Sequence, residues 1–330
     1  MRELSLFSRF SQEQVIRMGN SAEKWIRDLV KPIEEDLMSG AAELALRAII
    51  IFQTIMKEKK AEKPEVLRSY LTEAAKQLVG TQPAMAPVFH LSNSVLIAIK
   101  DCQSSDELIE KCQDTLDEFE KTLCASAARI ADLAYDLIEP GSLVFAYSFS
   151  STVVSALLNA RSRGRYFRVA CTESRPSLEG RKLASRLNSG GIEVIHTFDT
   201  AMGLILPACS VAFMGCDCMA LPGVVNKVGS WMLAVGCREL KVPLYALSGT
   251  EKFVSEERLF EFEKHERPGS EVWEDAPREI NVVNSQFDLV PFDLFSGLVT
   301  ERGILQAADI KELISNYAVH DSLKLETASS

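Results

Sequence analysis

The stretch Val211–Ser230, VAFMGCDCMALPGVVNKVGS, decides how this 330-residue chain is read. Four apolar residues, Val211–Met214, end at Gly215, the pattern of a buried strand running out of a sheet. Asp217 follows at once, then a short turn with Pro222 and Gly223, then Asn226-Lys227. From Gly229-Ser230 the chain enters WMLAVGCRELK, whose apolar spacing is helical. An acid at a strand tip, followed by an amide, a cation and a helix N-terminus, suits a phosphorylated small molecule. Free backbone N–H groups and the helix dipole favour an anion there. Lys227 supplies a point charge, and Asp217 can bond hydroxyls or move a proton.

The surrounding chain repeats this alternation. Leu143–Tyr147, Phe167–Cys171, Ile192–Thr197 and Pro243–Leu247 are short apolar or β-branched runs. Val153–Arg161, Ser177–Leu187 and Trp231–Leu240 between them have helical spacing. Such alternation predicts a Rossmann-like α/β domain over 139–330, with a mainly parallel sheet covered on both faces. Ahead of it, Ala41–Met56, Pro64–Leu78 and Ser104–Ile138 predict helices, and Glu107–Leu137 reads as one long connecting helix. Glu139-Pro140-Gly141 punctuates the chain, so residues 1–138 are expected to form a helical domain. Glu251–Glu279, charged and carrying Pro268 and Pro277, reads as an exposed excursion, and Glu326–Ser330 as a frayed tail.

Composition narrows the function classes. Lys and Arg total 36 against 46 Asp and Glu, a formal −10 that disfavours direct nucleic-acid binding. Arg161, Arg163, Arg165 and Arg168 around Tyr166 are therefore read as a solvated helix end. Eight scattered cysteines do not form a disulfide framework. Cys209, Cys216 and Cys218 lack a second pair and nearby histidines, so no metal is expected. Met1–Asn20 has no apolar core, and the longest apolar run, Ala48–Phe52, is too short for a bilayer. A cytoplasmic protein that engages no membrane is expected. His90 reads as an interior histidine. No Gly-x-Gly-x-x-Gly follows a candidate strand and no nucleophile elbow is present, so neither a nicotinamide enzyme nor a serine hydrolase is expected. No cofactor is called for.

In an open parallel sheet, ligands sit outside the carboxyl ends of strands. After Leu143–Tyr147 comes Ser148-Phe149-Ser150-Ser151-Thr152. That loop serves either as a phosphate cradle at a helix N-terminus, through Ser150 and Ser151, or as simple N-capping by Ser151 or Thr152. After Phe167–Cys171 come Glu173 and Arg175; Arg175 either grips phosphate or pairs with Glu179.

Three motifs in order carry a resemblance. They are Gly215-Cys216-Asp217 … Asn226-Lys227-Val228-Gly229-Ser230; Thr172-Glu173-Ser174-Arg175-Pro176 followed by Leu178-Glu179-Gly180-Arg181; and Phe287-Asp288-Leu289-Val290-Pro291 running on to Leu298-Val299-Thr300-Glu301-Arg302-Gly303. Over about Leu143 to Ile304 the chain resembles the α/β/δ regulatory subunits of translation initiation factor 2B. The relatives of that family include the ribose-1,5-bisphosphate and methylthioribose-1-phosphate isomerases. The resemblance implies a pocket whose framework is Arg175, Asp217, Asn226 and Lys227, with Asp217 as its acid–base group; with Ser150, Ser151 and Gly229 from the strand-end loops, Arg175, Asn226 and Lys227 are the expected ligand-binding residues for a sugar phosphate or nucleotide monophosphate. It also implies a two-fold dimer through the Phe287–Ile304 region, open to larger assembly with related subunits.

The same resemblance points to departures. The isomerases place a cysteine in the loop after the first strand and pair it with the Asp; Ser148 stands at that position here. A serine needs a partner base where a thiol can be tuned to exchange protons. An arginine expected before Gly40-Ala41 is Ser39, and an Arg-Pro stretch is replaced by Gln82-Pro83. Three readings follow: a regulatory or sensor protein that binds a phosphorylated ligand; an aldose–ketose isomerase using Asp217, with Cys171, Cys216 or Cys218 in place of the lost thiol; and a structural subunit with a vestigial pocket.

Overall fold

The computed structural model describes residues 12–36, 39–81, 85–254, 267–315 and 317–324. These fall into two compact units. The first comprises described residues in 12–81, 88–118 and 319–324, the second those in 85–87 and 119–318.

Helices build the first unit: α1 (Gln12–Glu34), α2 (Ala41–Glu58), α3 (Pro64–Thr81), α4 (Ala86–Ile99) beyond its first two residues, and the start of α5 (Ser105–Asp136). In α2 the buried residues Leu44, Ala45, Ala48, Ile49, Phe52, Ile55 and Met56 recur at three- and four-residue steps, the stripe that an amphipathic helix lays on a core. Trp25 of α1 meets Tyr70 of α3 edge-on at 5.8 Å, and the Lys59 ammonium lies over both rings. His90 is buried on α4. The backbone N–H of His320 donates to Asn93 Oδ1 at 2.8 Å and ties 319–324 to α4. The long connecting helix is α5, 32 residues without a break, and the two units divide inside it, between Glu118 and Phe119.

The second unit holds a seven-stranded sheet. Its strands are β1 (Leu143–Tyr147), β2 (Arg168–Thr172), β3 (Glu193–Thr197), β4 (Val211–Met214), β7 (Leu244–Leu247), β9 (Gly297–Thr300) and β10 (Gly303–Leu305), in the order β10-β9-β7-β4-β1-β2-β3. Every pairing is parallel except β9–β10. Alternate side chains face two separate cores, as strand geometry demands. Leu143, Phe145 and Tyr147 of β1 join Ala212 and Met214 of β4 on one face. Val144 and Ala146 join Val211 and Phe213 on the other. The second face is covered by α6 (Ser151–Ser162), α7 (Glu179–Ser189) and the end of α5; the first is covered by α9 (Ser230–Leu240) with Met202 of the short α8 (Met202–Ile205).

The sequence misses one feature. Between β4 and α9 the chain forms a hairpin, β5 (Cys218–Ala220) and β6 (Gly223–Lys227), turning at Leu221-Pro222. With β8 (Phe287–Pro291) it makes a separate antiparallel sheet in the order β5-β6-β8. Asn226 and Lys227 thus end a strand rather than sit in a loop. The expected exposed excursion also begins inside the fold: Lys252, Phe253 and Val254 are buried, and Val254 N donates to Met219 O at 2.8 Å. Residues 255–266, the 326–330 tail and Gln82-Pro83 lie outside the described residues. A last helix, α10 (Ala307–Ser315), closes the unit.

The expected arginine cluster is consumed locally. Arg163 pairs with Asp132 at 3.0 Å, and Arg163 and Arg165 both lie against the Tyr135 ring.

Candidate functional site at the carboxyl ends of β1, β2 and β4

Strand order reverses between β1 and β4, the place where open parallel sheets leave a crevice for ligands. Ser148 follows β1 and Asp217 follows β4, so the topology delivers both to this crevice.

Local backbone there is unusual. Among the described residues four non-glycine residues have positive φ, and three lie in the loops after β1 and β2: Ser148 (58°), Ser174 (57°) and Leu178 (59°). Each such residue costs about 1–2 kcal/mol, so a fold keeps several together only where surrounding contacts fix them. One such contact is Asp199, whose carboxylate accepts from Ser174 N and Arg175 N, both at 2.8 Å. Another is the approach of α7 to β2. A Cβ on Gly180 would stand 1.7 Å from Thr172 O, so only glycine lets the start of α7 come this close.

That approach brings Glu179 into the site. Ser148 Oγ donates to Glu179 Oε2 at 2.7 Å. Glu179 Oε1 lies 3.5 Å from Lys227 Nζ, and the same ammonium donates to Ser177 Oγ at 2.8 Å. Lys227 is 4% exposed. The alternative Arg175–Glu179 pair is therefore not formed: Arg175 reaches outward to Val272 O at 3.2 Å, and Glu173 takes Arg181 at 3.0 Å.

Asp217 is half-buried, its N–H donating to Val225 O at 2.9 Å across the hairpin mouth. Burial pushes its carboxyl up to about 6; Lys252 and Lys227 oppose the shift, and Glu179 adds to it. Lys252 is itself buried and donates to the Cys216 carbonyl. The cysteines weighed as replacement thiols are held protonated by burial, Cys171 and Cys216 at about 12 and Cys218 well above its ordinary value. All eight cysteines are free.

The helix N-terminus expected to receive an anion is already filled. Asp288 Oδ2 accepts from Gly229 N at 2.7 Å and from Trp231 N at 3.1 Å, placing an internal carboxylate at the positive end of α9. Gly229, at φ 98°, serves packing instead: a Cβ there would stand 2.0 Å from Tyr147 Oη, which donates to Val228 O at 2.6 Å. Asn226 Nδ2 donates to Ser230 Oγ at 2.9 Å, and Ser230 Oγ to Lys227 O at 2.6 Å, so this motif is an internally bonded turn.

Ser150, rather than Ser151 or Thr152, caps α6, its hydroxyl accepting from Val153 N at 3.4 Å. It borders Gly215, where a Cβ would meet it at 2.6 Å. Ser151 opens instead into a groove of 580 Å³ along α6, lined by Phe149, Val154, Leu158 and Arg186 among others.

The structure thus brings Ser148 and Lys227 onto Glu179, sets Asp217 within electrostatic range of Lys227 and Glu179, and places Ser150 and Asn226 against Gly215. It turns Arg175 outward and Ser151 aside. Sequence reasoning missed Ser177, Lys252 and Asp288, and read Glu179 only as a partner for Arg175. A lysine five residues past the end of a parallel strand, as Lys252 is to β7, was the available signal.

Known proteins share this arrangement of elements. A Pyrococcus furiosus protein named for its likeness to subunit 2 of translation initiation factor eIF-2B is 31% identical over 281 residues, covering 84% of this chain and 96% of that protein. The ribose 1,5-bisphosphate isomerase of the same organism is 28% identical over 321 residues, covering 94% and 96%. The crystal structure of Pyrococcus horikoshii translation initiation factor eIF-2B superposes with a TM-score of 0.73 at 26% identity, covering 87% of this chain and 99% of that one. The sequence pattern of the initiation factor 2 subunit family matches residues 37–307, a span that takes in both lysines, Asp217 and the hairpin that carries it. By that match, and by a fold shared almost end to end, this chain belongs to the initiation factor 2 subunit family.

Proposed function

We propose that this chain is a regulatory or sensor protein of the initiation factor 2B α/β/δ type, which binds a sugar phosphate or nucleoside monophosphate in the β1–β4 crevice. The observation that carries the reading is Lys227: an ammonium almost lost to solvent, held by two side chains at the switch point of the sheet. Desolvating a lysine is costly and packing alone does not call for it. Asp217 and Ser148 beside it offer hydroxyl-bonding partners for a sugar. We further propose a cytoplasmic homodimer formed through the second unit, open to assembly with related subunits. Trp231 (49% exposed) and Met232 (62%) on α9 and Leu289 (37%) on the edge strand β8 support that face. A light-scattering mass of one chain, 36.5 kDa, overturns the dimer.

A second reading is favoured by Asp217. A carboxyl pushed up to about 6 exchanges protons near neutral pH, as an aldose–ketose isomerisation requires. Ser148 in place of a thiol, and cysteines held protonated by burial, weigh against it. Phosphorus NMR with ribose 1,5-bisphosphate and methylthioribose 1-phosphate separates the readings. Shifted resonances without conversion support the sensor. Conversion that disappears in Asp217→Asn makes the protein an isomerase, and unchanged spectra exclude both ligands.

A further inference from the structure

The Lys227 site already contains an anion, and it belongs to the chain. Among the described residues the Glu179 carboxylate has two polar partners, the Ser148 hydroxyl at 2.7 Å and the Lys227 ammonium at 3.5 Å. A phosphate entering the crevice would seek the same two donors, one neutral and one charged. The carboxylate is held loosely for so enclosed a place. Its ion pair is long, and 31% of its side chain stays in water while that of Lys227 keeps 5%. Glu179 is also the first residue of α7, carried at the tip of a helix rather than locked within one. Helix α9, on the opposite face of the sheet, shows what a permanent internal anion looks like: Asp288 accepts two backbone N–H groups at its start and leaves neither free.

We infer that Glu179 is a displaceable internal counter-ion of the pocket, bridging Ser148 and Lys227 as a ligand phosphate does and selecting against anions too weak to expel it. This rests on the reading of the crevice as a phosphate site. It makes Glu179 a specificity-determining residue. Like charges forced together at one donor pair oppose binding, so removing the carboxylate's charge tightens phosphate binding by about tenfold. Ligand binding also detaches the start of α7 from the loop after β1, which gives a sensor a structural consequence of occupancy.

The test is calorimetric titration of ribose 5-phosphate into the full chain and its variants. Glu179→Gln and, as a second route should the first fold poorly, Glu179→Ala both bind the probe about tenfold more tightly than the parent. The gain disappears when Lys227→Met is added. A parent that binds through Lys227 while both Glu179 variants bind equally or more weakly overturns the inference and leaves the pocket standing. A gain that survives Lys227→Met also overturns it, because the anion then sits elsewhere. No binding by the parent or by either Glu179 variant overturns the inference and the phosphate pocket together.

Discussion

Two lysines act on Asp217, and they are held in different ways. Lys252 gives its ammonium to a backbone carbonyl, that of Cys216, within a segment packed on the core. Lys227 gives its ammonium to side chains, Ser177 and Glu179. A backbone acceptor cannot move without moving the strand end, whereas a hydroxyl and a half-exposed carboxylate can be exchanged for a ligand. Under the proposed function Lys252 is thus a structural cation and Lys227 a binding one.

The contrast is sharpest where a substitution damages one role and spares the other. The largest effect is expected at Gly180, which makes room for Glu179. Gly180→Ala forces a Cβ into Thr172 O and destabilises the second unit by about 3 kcal/mol, read as a lowered urea midpoint. Next, Lys252→Met leaves the Cys216 carbonyl without its partner and destabilises by about 2 kcal/mol. Lys227→Met, by the same measurement, costs about 1 kcal/mol or less, because an apolar side chain replaces a desolvated ammonium and the partly exposed Glu179 turns to water. Equal losses from the two lysine variants would erase the distinction drawn between them.

A smaller effect concerns pH. The Asp217 carboxyl is raised from 3.8 to about 6 on folding, so the folded state holds this proton more tightly than the unfolded chain. Its contribution to stability is fully present below about pH 4 and is lost as pH rises through about 6. About 1–2 kcal/mol is expected, less than the full rise would give because Asp217 keeps some contact with water. Asp217→Asn removes that slope, so parent and variant urea midpoints measured at pH 4.5 and 7 diverge in their pH dependence. Parallel profiles would show that Asp217 is not raised.

The sequence makes the main sheet legible because its central strands are buried on both faces. Runs such as Leu143–Tyr147 and Val211–Met214 hold apolar residues at nearly every position, and both appear with those boundaries. The long α5 is legible for a related reason, its three- and four-residue spacing persisting over about nine turns. Cys218–Lys227 is not, because β5 has only three residues and β6 holds just two apolar side chains, Val224 and Val225, before the polar Asn226-Lys227, so neither stands out as a run. Among the candidate site residues, Ser148 and Asp217 are legible from their place after β1 and β4, and Lys227 from its motif with Asn226. The partners that define their chemistry are not. Glu179 lies 31 residues from Ser148, and Asp288 lies 59 from Gly229. Those pairings are set by how α7 and β8 pack, and no local signal encodes them. Arg175 shows the converse, since a residue type suited to phosphate is turned outward by the Asp199 clasp on its own backbone.

The most direct test of the account is a calorimetric titration of ribose 1,5-bisphosphate into the parent protein and into Lys227→Met. Saturable binding to the parent that is lost in the variant, with the urea midpoint little changed, is the predicted result. Equal binding by both proteins, or none by the parent, would contradict the assignment of Lys227 as the cation that holds the ligand.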